Sequence, residues 1–306
     1  MTSRAASPPV SAPAQVTALR RPPTVDMAVL AVGLVAVGAS GPLIAATAAP
    51  ALAIAFWRNA FGVGALAPYA WWRHRWELRA MGRAEWLAAL AAGLALGVHF
   101  AAWTTSLTMT SVASATAFVA GQPVFAALIA KSRGEHVSRR AWFGILVAIG
   151  GVAALSAADL NLSGRAFAGD LLALSAGALA AVYMGLGAKV RQTVSLTPYA
   201  IVCYGTAAAV LALGALASGQ HLTGLPGGVW IKILALTASA QLLGHTLFNR
   251  VLKTTSATVV SVAILLEVPF ATLLAAVFLG QIPPWTVFPG LVLLLGGLTV
   301  VASRRG

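Results

Sequence analysis

Long apolar runs follow one another along almost the whole chain, and they constrain the fold more than any other feature. They lie near residues 27–47, 51–71, 85–106, 112–130, 141–157, 170–188, 198–217, 229–249, 256–280 and 285–302. About 20 apolar residues, each rising about 1.5 Å in a helix, cover the hydrocarbon core of a bilayer. The runs show no alternation of apolar and polar residues, which excludes a transmembrane β-barrel. We therefore predict an all-α membrane protein with ten transmembrane helices.

Composition agrees with this prediction and excludes other classes. Of the 306 residues, 59% are hydrophobic and 9% are charged, whereas soluble domains average about 25% charged residues. The net charge of +13 does not indicate a nucleic-acid partner, because the positive residues fall in alternate gaps between apolar runs. Membrane lipid is the expected surrounding. The single cysteine, Cys203, excludes intrachain disulfides and a cysteine-based metal site.

The distribution of lysine and arginine predicts the orientation. If the N-terminal tail is cytoplasmic, 17 of the 20 positive residues fall in cytoplasmic segments. The exceptions are Arg58, inside run 2, and Arg165 and Lys232. Both termini are therefore expected in the cytoplasm, with the protein in the plasma membrane, the inner membrane of a bacterium. The Pro- and Ser-rich residues 1–25 lack the apolar core of a signal peptide and read as a disordered tail.

An internal repeat relates the two halves of the chain. Shifts of 146 and 144 residues align Pro123 with Pro269, Gly134 with Gly280, Gly144 with Gly290, Gly150–Gly151 with Gly296–Gly297, Asp26 with Asp170, Gly33 with Gly177 and Gly41 with Gly185. Each half then holds five runs, and an odd number inverts the second half relative to the first, as in alternating-access carriers. We expect five-helix repeats at 26–157 and 169–302, an extracellular or periplasmic linker at 158–168, and a cytoplasmic tail at 303–306.

Glu267 is the strongest candidate for a functional residue. It lies near the middle of run 9, followed two residues later by Pro269. A carboxylate at that depth costs on the order of 3 kcal/mol, so it must face a polar interior or a partner. Two roles are open: Glu267 could take up and release a proton during a transport cycle, or it could accept hydrogen bonds from backbone freed around Pro269.

Run 8 carries a polar stripe at intervals of four residues, formed by Thr237, Gln241, His245 and Asn249. Four aligned polar side chains in a membrane helix line a cavity or hydrogen-bond to a neighbouring helix. Both interpretations are open, and we take cavity lining as the working hypothesis.

Five further residues are weaker candidates. His99 and Trp103 lie one turn apart in run 3, where they could contact a substrate or serve packing. Gln122 precedes Pro123 in run 4, and Tyr183 lies in run 6. Arg58 could bind a substrate carboxylate, extend to the interface, or donate to backbone carbonyls.

The chain shows no catalytic motif. There is no nucleophile elbow, no phosphate-binding glycine loop followed by lysine, and no zinc-type histidine pair. We therefore predict that the protein is not an enzyme and has no metal or cofactor.

Several segments together resemble the drug/metabolite transporter superfamily, specifically the EamA-type ten-helix transporters. They are FWRNAFG (Phe56–Gly62), SVASATAFVAGQPVF (Ser111–Phe125), GEHVS (Gly134–Ser138), TSATVVSVAILLEVPF (Thr255–Phe270), GQIPP (Gly280–Pro284) and GLVLLLGG (Gly290–Gly297). The resemblance covers the chain after the tail. It implies that helices 1, 3, 4, 6, 8 and 9 surround a central cavity, and that helices 5 and 10 support assembly, which leaves a homodimer open.

The resemblance implies a secondary transporter that exports amino acids, related small metabolites or drugs. A carrier of lipid-linked or sugar-type substrates is the alternative, followed by a non-transporting sensor or scaffold. The family commonly has Glu directly before Pro in helices 4 and 9. Here Gln122 replaces the first of these acids, Val268 separates Glu267 from Pro269, and Gln281 stands where the second link usually has Glu. These departures leave facilitated diffusion as an alternative to proton coupling.

Overall fold

The computed structural model of the protein describes residues 24–132, 134, 138–160, 163–255, 260 and 263–302. Within these ranges the regular secondary structure is helical, without a strand. Most of the predicted tail, three of the five residues of the GEHVS link and much of the first half of run 9 lie outside the described residues.

The helices follow the apolar runs. Those of the first half are α1 Thr24–Gly38, α2 Ser40–Ala45, α3 Ala51–Tyr69, α4 Arg75–Ala80, α5 Arg83–Ser106, α6 Val112–Val119, α7 Gln122–Ser132 and α8 Arg139–Leu160. Those of the second half are α9 Gly164–Val190, α10 Leu196–Ala217, α11 Gly227–Leu236, α12 Thr246–Val251, α13 Glu267–Leu279 and α14 Phe288–Ala302. Wider π-helical turns continue α3 over Ala70–His74 and join α11 to α12 over Thr237–His245.

Six helical stretches of the described chain are long and apolar enough to cross a membrane. They are Thr24–Ala45, Arg83–Ser106, Val112–Ser132, Gly164–Val190, Leu196–Ala217 and Gly227–Val251. Two shorter apolar helices are Glu267–Leu279 and Trp285–Val300. Helix α3 is 19 residues long, but Arg58 and Asn59 in its middle lower its hydropathy. The molecule is an all-helical integral membrane protein, while the count of ten crossings stays a prediction.

Runs 4 and 9 are each interrupted just before their proline. Helix α6 ends at Val119 and α7 restarts at Gln122, while α13 starts at Glu267 after a turn at residues 265–266. Pro123 and Pro269 thus fall in the first turn of α7 and α13, where a missing N–H and a fixed φ are tolerated. The interruption places two helix N-termini, which carry partial positive charge, inside the bundle.

The repeated glycines mark a close crossing of α8 and α14. A Cβ on Gly151 would lie 2.3 Å from Leu294 N and 2.8 Å from Gly290 O, and one on Gly297 would lie 2.6 Å from Gly144 O. Later residues of α8 therefore face earlier residues of α14, so the two equivalent helices run antiparallel, as an inverted repeat requires. Another aligned pair shares a left-handed backbone, Gly134 with φ of 78° and Gly280 with φ of 64°.

This crossing leads to a prediction for Gly151, and the neighbouring Gly150 provides a matched control. Gly151→Ala should lower thermal stability by about 1–3 kcal/mol, because the added methyl group overlaps the backbone of α14. At Gly150 a Cβ would meet nothing within 4 Å, so Gly150→Ala should leave the melting temperature unchanged or slightly higher. Thermal unfolding in detergent compares the two variants. Equal melting temperatures of the two variants would contradict the prediction, because α8 and α14 would then accommodate the added methyl group without loss of stability.

Polar contacts tie the two halves together at the end of the bundle where α1 begins, here called the near end. The Ser195 N–H donates to Glu77 Oε1 at 2.6 Å, and the Thr193 hydroxyl donates to Glu85 Oε1 at 2.5 Å. Burial favours the protonated form of Glu77, but hydrogen bonds from Ser195 and His74 outweigh it and lower the pKa of this carboxyl group. One carboxyl group from α4 and one from α5 therefore hold the connection between α9 and α10.

Candidate functional site

A narrow cavity of about 40 Å³ lies inside the bundle. Its lining comes from the segments of runs 1, 3, 4, 6, 8 and 9, the set that the resemblance implies. Of the nine predicted site residues, those that line the cavity are His99, Trp103, Gln122, Tyr183, His245 and Glu267. Ser40, Phe100 and Met184 are among the other lining residues. This cavity has room for one or two water molecules and none for a metabolite.

The two restarted helices each present their first residue to the cavity. Gln122 opens α7 and Glu267 opens α13, and both side chains are buried, with 2% and 6% exposure. A carboxylate in the first turn of a helix interacts favourably with the helix dipole. The Gln122 amide donates to Met184 Sδ at 2.9 Å, and sulfur is a weak acceptor.

Aromatic rings surround His245 on the opposite wall. Its ring centroid lies 5.1 Å from that of Phe100, 6.2 Å from Tyr183 and 6.5 Å from His99. His99 Nδ1 lies 2.8 Å from the Ala176 carbonyl oxygen, so Nδ1 carries the hydrogen and donates. Nδ1 of His245 has no hydrogen-bond partner in the described part of the chain. The cavity therefore offers flat faces and an uncommitted imidazole nitrogen.

Arg58 lies behind the cavity wall and is fully buried. Its Nε donates to Gln241 Oε1 at 3.0 Å and its Nη1 donates to Ser40 Oγ at 3.4 Å. Its guanidinium carbon sits 4.2 Å from the Phe100 ring centroid, a cation–π distance. Gln241 in turn donates to Asn59 Oδ1 at 3.1 Å. Arg58 thus joins two elements of the first half to one of the second.

A second network supports Tyr183. Its hydroxyl donates to Asn249 Oδ1 at 2.7 Å, and the Asn249 amide reaches Tyr204 OH at 3.4 Å. Tyr204 OH and Thr246 Oγ1 are 3.1 Å apart. These bonds fix the orientation of the Tyr183 ring in the cavity wall.

The structure therefore separates the nine predicted residues into two groups. Six face the cavity. Behind it, Arg58 hydrogen-bonds to Gln241, and Asn249 accepts a hydrogen bond from Tyr183. Both interpretations of the run 8 stripe have a place, since His245 faces the cavity while Gln241 and Asn249 join helices. The stripe lies largely in the π-helical turn Thr237–His245, a form often found at functional sites.

Ser40, Phe100 and Asn59 take part in the site without having been singled out from the sequence. Asn59 follows Arg58 directly, and two adjacent polar residues in an apolar run were a signal for it. Phe100 next to His99 carried no such signal, because apolar aromatic residues are frequent in every run.

Comparisons with known proteins agree with this architecture. The profile of a family described as "EamA-like transporter family" matches residues 25–157 and again residues 167–303. A search of curated proteins gives no significant match. A solved structure named only "Crystal structure of protein" is 16% identical, with a TM-score of 0.64 over 90% of this chain and 96% of that chain. This likeness shows a shared fold and nothing about substrates.

Proposed function

The chain belongs to the EamA-like transporter family, and from that premise we propose that it exports a small metabolite or drug by alternating access. The substrate class we favour is amino acids and related compounds. Ten crossings in two inverted groups of five, with both termini in the cytoplasm of the plasma membrane, complete the proposal. The antiparallel packing of α8 on α14 and the lysine and arginine distribution support these two points.

One observation carries the proposal most. Polar side chains from six segments of both halves converge on one cavity at membrane depth, and the cavity is too small for a metabolite. Buried polar groups in a bilayer are costly and mark solute paths. A site between two halves that is too narrow for a substrate is expected of a carrier between its two open states. The site therefore has to widen on one side or the other to take up a substrate.

The charged residues at the cavity favour a substrate that carries both a positive and a negative charge. Glu267 faces the cavity, and Arg58 lies directly behind Ser40 and Phe100 in its wall. A carboxylate of the substrate could pair with the guanidinium group of Arg58, and an ammonium group of the substrate with the carboxylate of Glu267. The aromatic rings around His245 offer faces to an apolar side chain.

Counterflow of a panel of labelled amino acids and related metabolites into proteoliposomes tests the function. Ala180 lines the cavity on α9 and is 6% exposed, whereas Val182 on the same helix is 39% exposed. Ala180→Phe should fill the cavity and lower counterflow at least tenfold, and Val182→Phe should leave it close to wild type. Equal counterflow in both variants, or none for the wild-type chain with any solute, would contradict the proposal.

A lipid-linked substrate is the second candidate, favoured by an apolar groove of about 400 Å³ between α13 and α14. The groove begins at Val268 and Pro269, directly after Glu267, and Leu273 and Val292 leave it open towards lipid. Ala276→Trp would fill this groove without touching the cavity. It should impair transport only if the substrate carries an acyl or prenyl chain.

A further inference from the structure

A second cavity of about 200 Å³ lies at the far end of the bundle, opposite the near end. We call it the far vestibule; its lining residues are Ile44, Ala45, Thr47, Ala49, Ile54, Thr104, Leu107 and Thr108. None of these lining residues is acidic. It has about five times the volume of the central cavity, so it has room for a small solute that the central cavity lacks.

The far vestibule continues the central cavity along two segments of the chain. On α2, Ser40 lines the centre and Ile44, four residues on, lines the vestibule. Trp103 on α5 and Leu107, directly after the last residue of α5, have the same relation. Four residues make about one helical turn, or about 6 Å. A single turn of side chains therefore separates the two spaces.

On α3 the same step leads from the vestibule to a buried cation. Ile54 lines the vestibule, and Arg58 follows one turn further into the bundle. Arg58 is fully buried, and its Nη2 finds no hydrogen-bond partner among the residues that the structure describes. Arg58 therefore keeps one N–H group that can donate to a ligand, one helical turn inward from the vestibule.

Besides Arg58, two cations depart from the lysine and arginine asymmetry, and each bonds to a backbone carbonyl at or next to the vestibule lining. Lys232 Nζ donates to the Ala46 carbonyl at 2.6 Å, between lining residues Ala45 and Thr47. Arg165 Nη2 donates to the carbonyl of lining residue Thr108 at 2.9 Å. Both cations are exposed at the far end, so each retains donors that face water.

The vestibule wall also contains a buried hydroxyl group. Thr104 is fully buried, and its Oγ1 has no partner in the described ranges. Thr47 Oγ1 already donates to Leu43 O at 2.6 Å, so it is left only as an acceptor. A buried hydroxyl without a partner is costly, and an anion that accepts from it removes this cost.

We propose that the far vestibule is a second, outward-facing binding site in which Lys232, Arg165 and the Thr104 hydroxyl hold the carboxylate of a small organic anion or zwitterion. The site rests on the proposed function for its outward direction and for its connection to a transport path. A carboxylate leaving Arg58 would reach the vestibule at Ile54, one helical turn away on α3. The competing explanation is that Lys232 and Arg165 only cap carbonyl groups near the ends of α2 and α5.

Cysteine modification in right-side-out vesicles that contain the full chain separates these explanations. Thr104→Cys is treated with methanethiosulfonate reagents that carry a sulfonate or a trimethylammonium group. The ratio of their rates is normalised to that at Ser218→Cys, an exposed position at the far end. The normalised ratio should favour the anionic reagent roughly tenfold and should fall to about one when Lys232→Gln is added. Buried Cys203 in the wild-type chain serves as the blank.

A protection assay tests binding of the carboxylate itself. Acetate should slow modification of Thr104→Cys by neutral methyl methanethiosulfonate at least twofold, while acetamide at the same concentration should not. Thr47→Cys gives an independent position if Thr104→Cys folds poorly. If neither position reacts while Ser218→Cys does, the vestibule is not accessible from outside and the proposal is wrong. Equal rates for the two charged reagents, or equal effects of acetate and acetamide, would refute anion binding. Lys232 and Arg165 would then act only as caps of carbonyl groups.

The outward direction has its own control in the exposed near-end residue Gln192. Gln192→Cys should stay unmodified by the charged reagents in right-side-out vesicles. Its reaction there, without reaction of Thr104→Cys, would overturn the orientation and the outward direction of the vestibule. Counterflow of labelled metabolites is measured separately, so a failed carrier function is not confused with a failed vestibule.

Discussion

Arg58→Met should reduce counterflow roughly 10- to 100-fold while the protein still folds. Met is about as long as Arg and apolar, so it occupies the same space next to Phe100 without the charge or the donors. Hydrogen bonds to a charged group contribute about 1.5–3 kcal/mol, which corresponds to this range of rates. Removing a fully buried charge also removes its desolvation cost, so the melting temperature should change little.

Arg58→Lys should recover only part of the activity. Lysine keeps the charge, but it lacks the planar fork that reaches Gln241 and Ser40 together and stacks on Phe100. Arg73→Met, at an exposed position at the near end of the bundle, is the matched control and should keep normal counterflow. If Arg58→Met loses its melting transition along with transport, Arg58 acts as a structural link between halves and not as part of a solute path.

Much of the fold followed from the apolar runs. Glu267, His245, His99 and Gln122 were found because a polar side chain at membrane depth is costly and has to be compensated. That rule works for any polar residue inside an apolar run, whatever its neighbours are. The repeat supplied a second constraint, since Gly151 and Gly290 had to be small for a reason, and their contact in the α8–α14 crossing shows it.

The sequence did not predict the wall of the site. Whether Gln241 faces the cavity or Arg58 depends on a rotation of less than one turn, and the π-helical turn Thr237–His245 changes that rotation. Phe100 contacts both Arg58 and His245, yet nothing distinguishes it from other aromatic residues in the runs. The helix restarts at Gln122 and Glu267 were also not foreseen. Pro123 and Pro269 signalled weakened helices, but a proline bends some membrane helices and interrupts others.

Glu267→Gln should abolish the response of transport to a pH gradient while counterflow without a gradient persists. Glutamine fills the same space at the start of α13 and keeps polar atoms in the cavity wall, but it cannot exchange a proton. We expect uptake driven by a pH gradient to fall at least tenfold, to the level without a gradient. Unchanged gradient-driven uptake would refute the proton role and would leave the hydrogen-bond acceptor role and the carrier function intact.

The equivalent restart in the first half offers a rescue experiment. Gln122 opens α7 as Glu267 opens α13, and both side chains line the same cavity. In the double variant Glu267→Gln with Gln122→Glu, one acid remains in the cavity at a quasi-symmetric position. If proton coupling requires only a carboxyl group that is accessible in both open states, the response to a pH gradient should return. If counterflow is normal but coupling stays absent, the specific surroundings of Glu267, with Arg58 behind Ser40, are needed to release the proton.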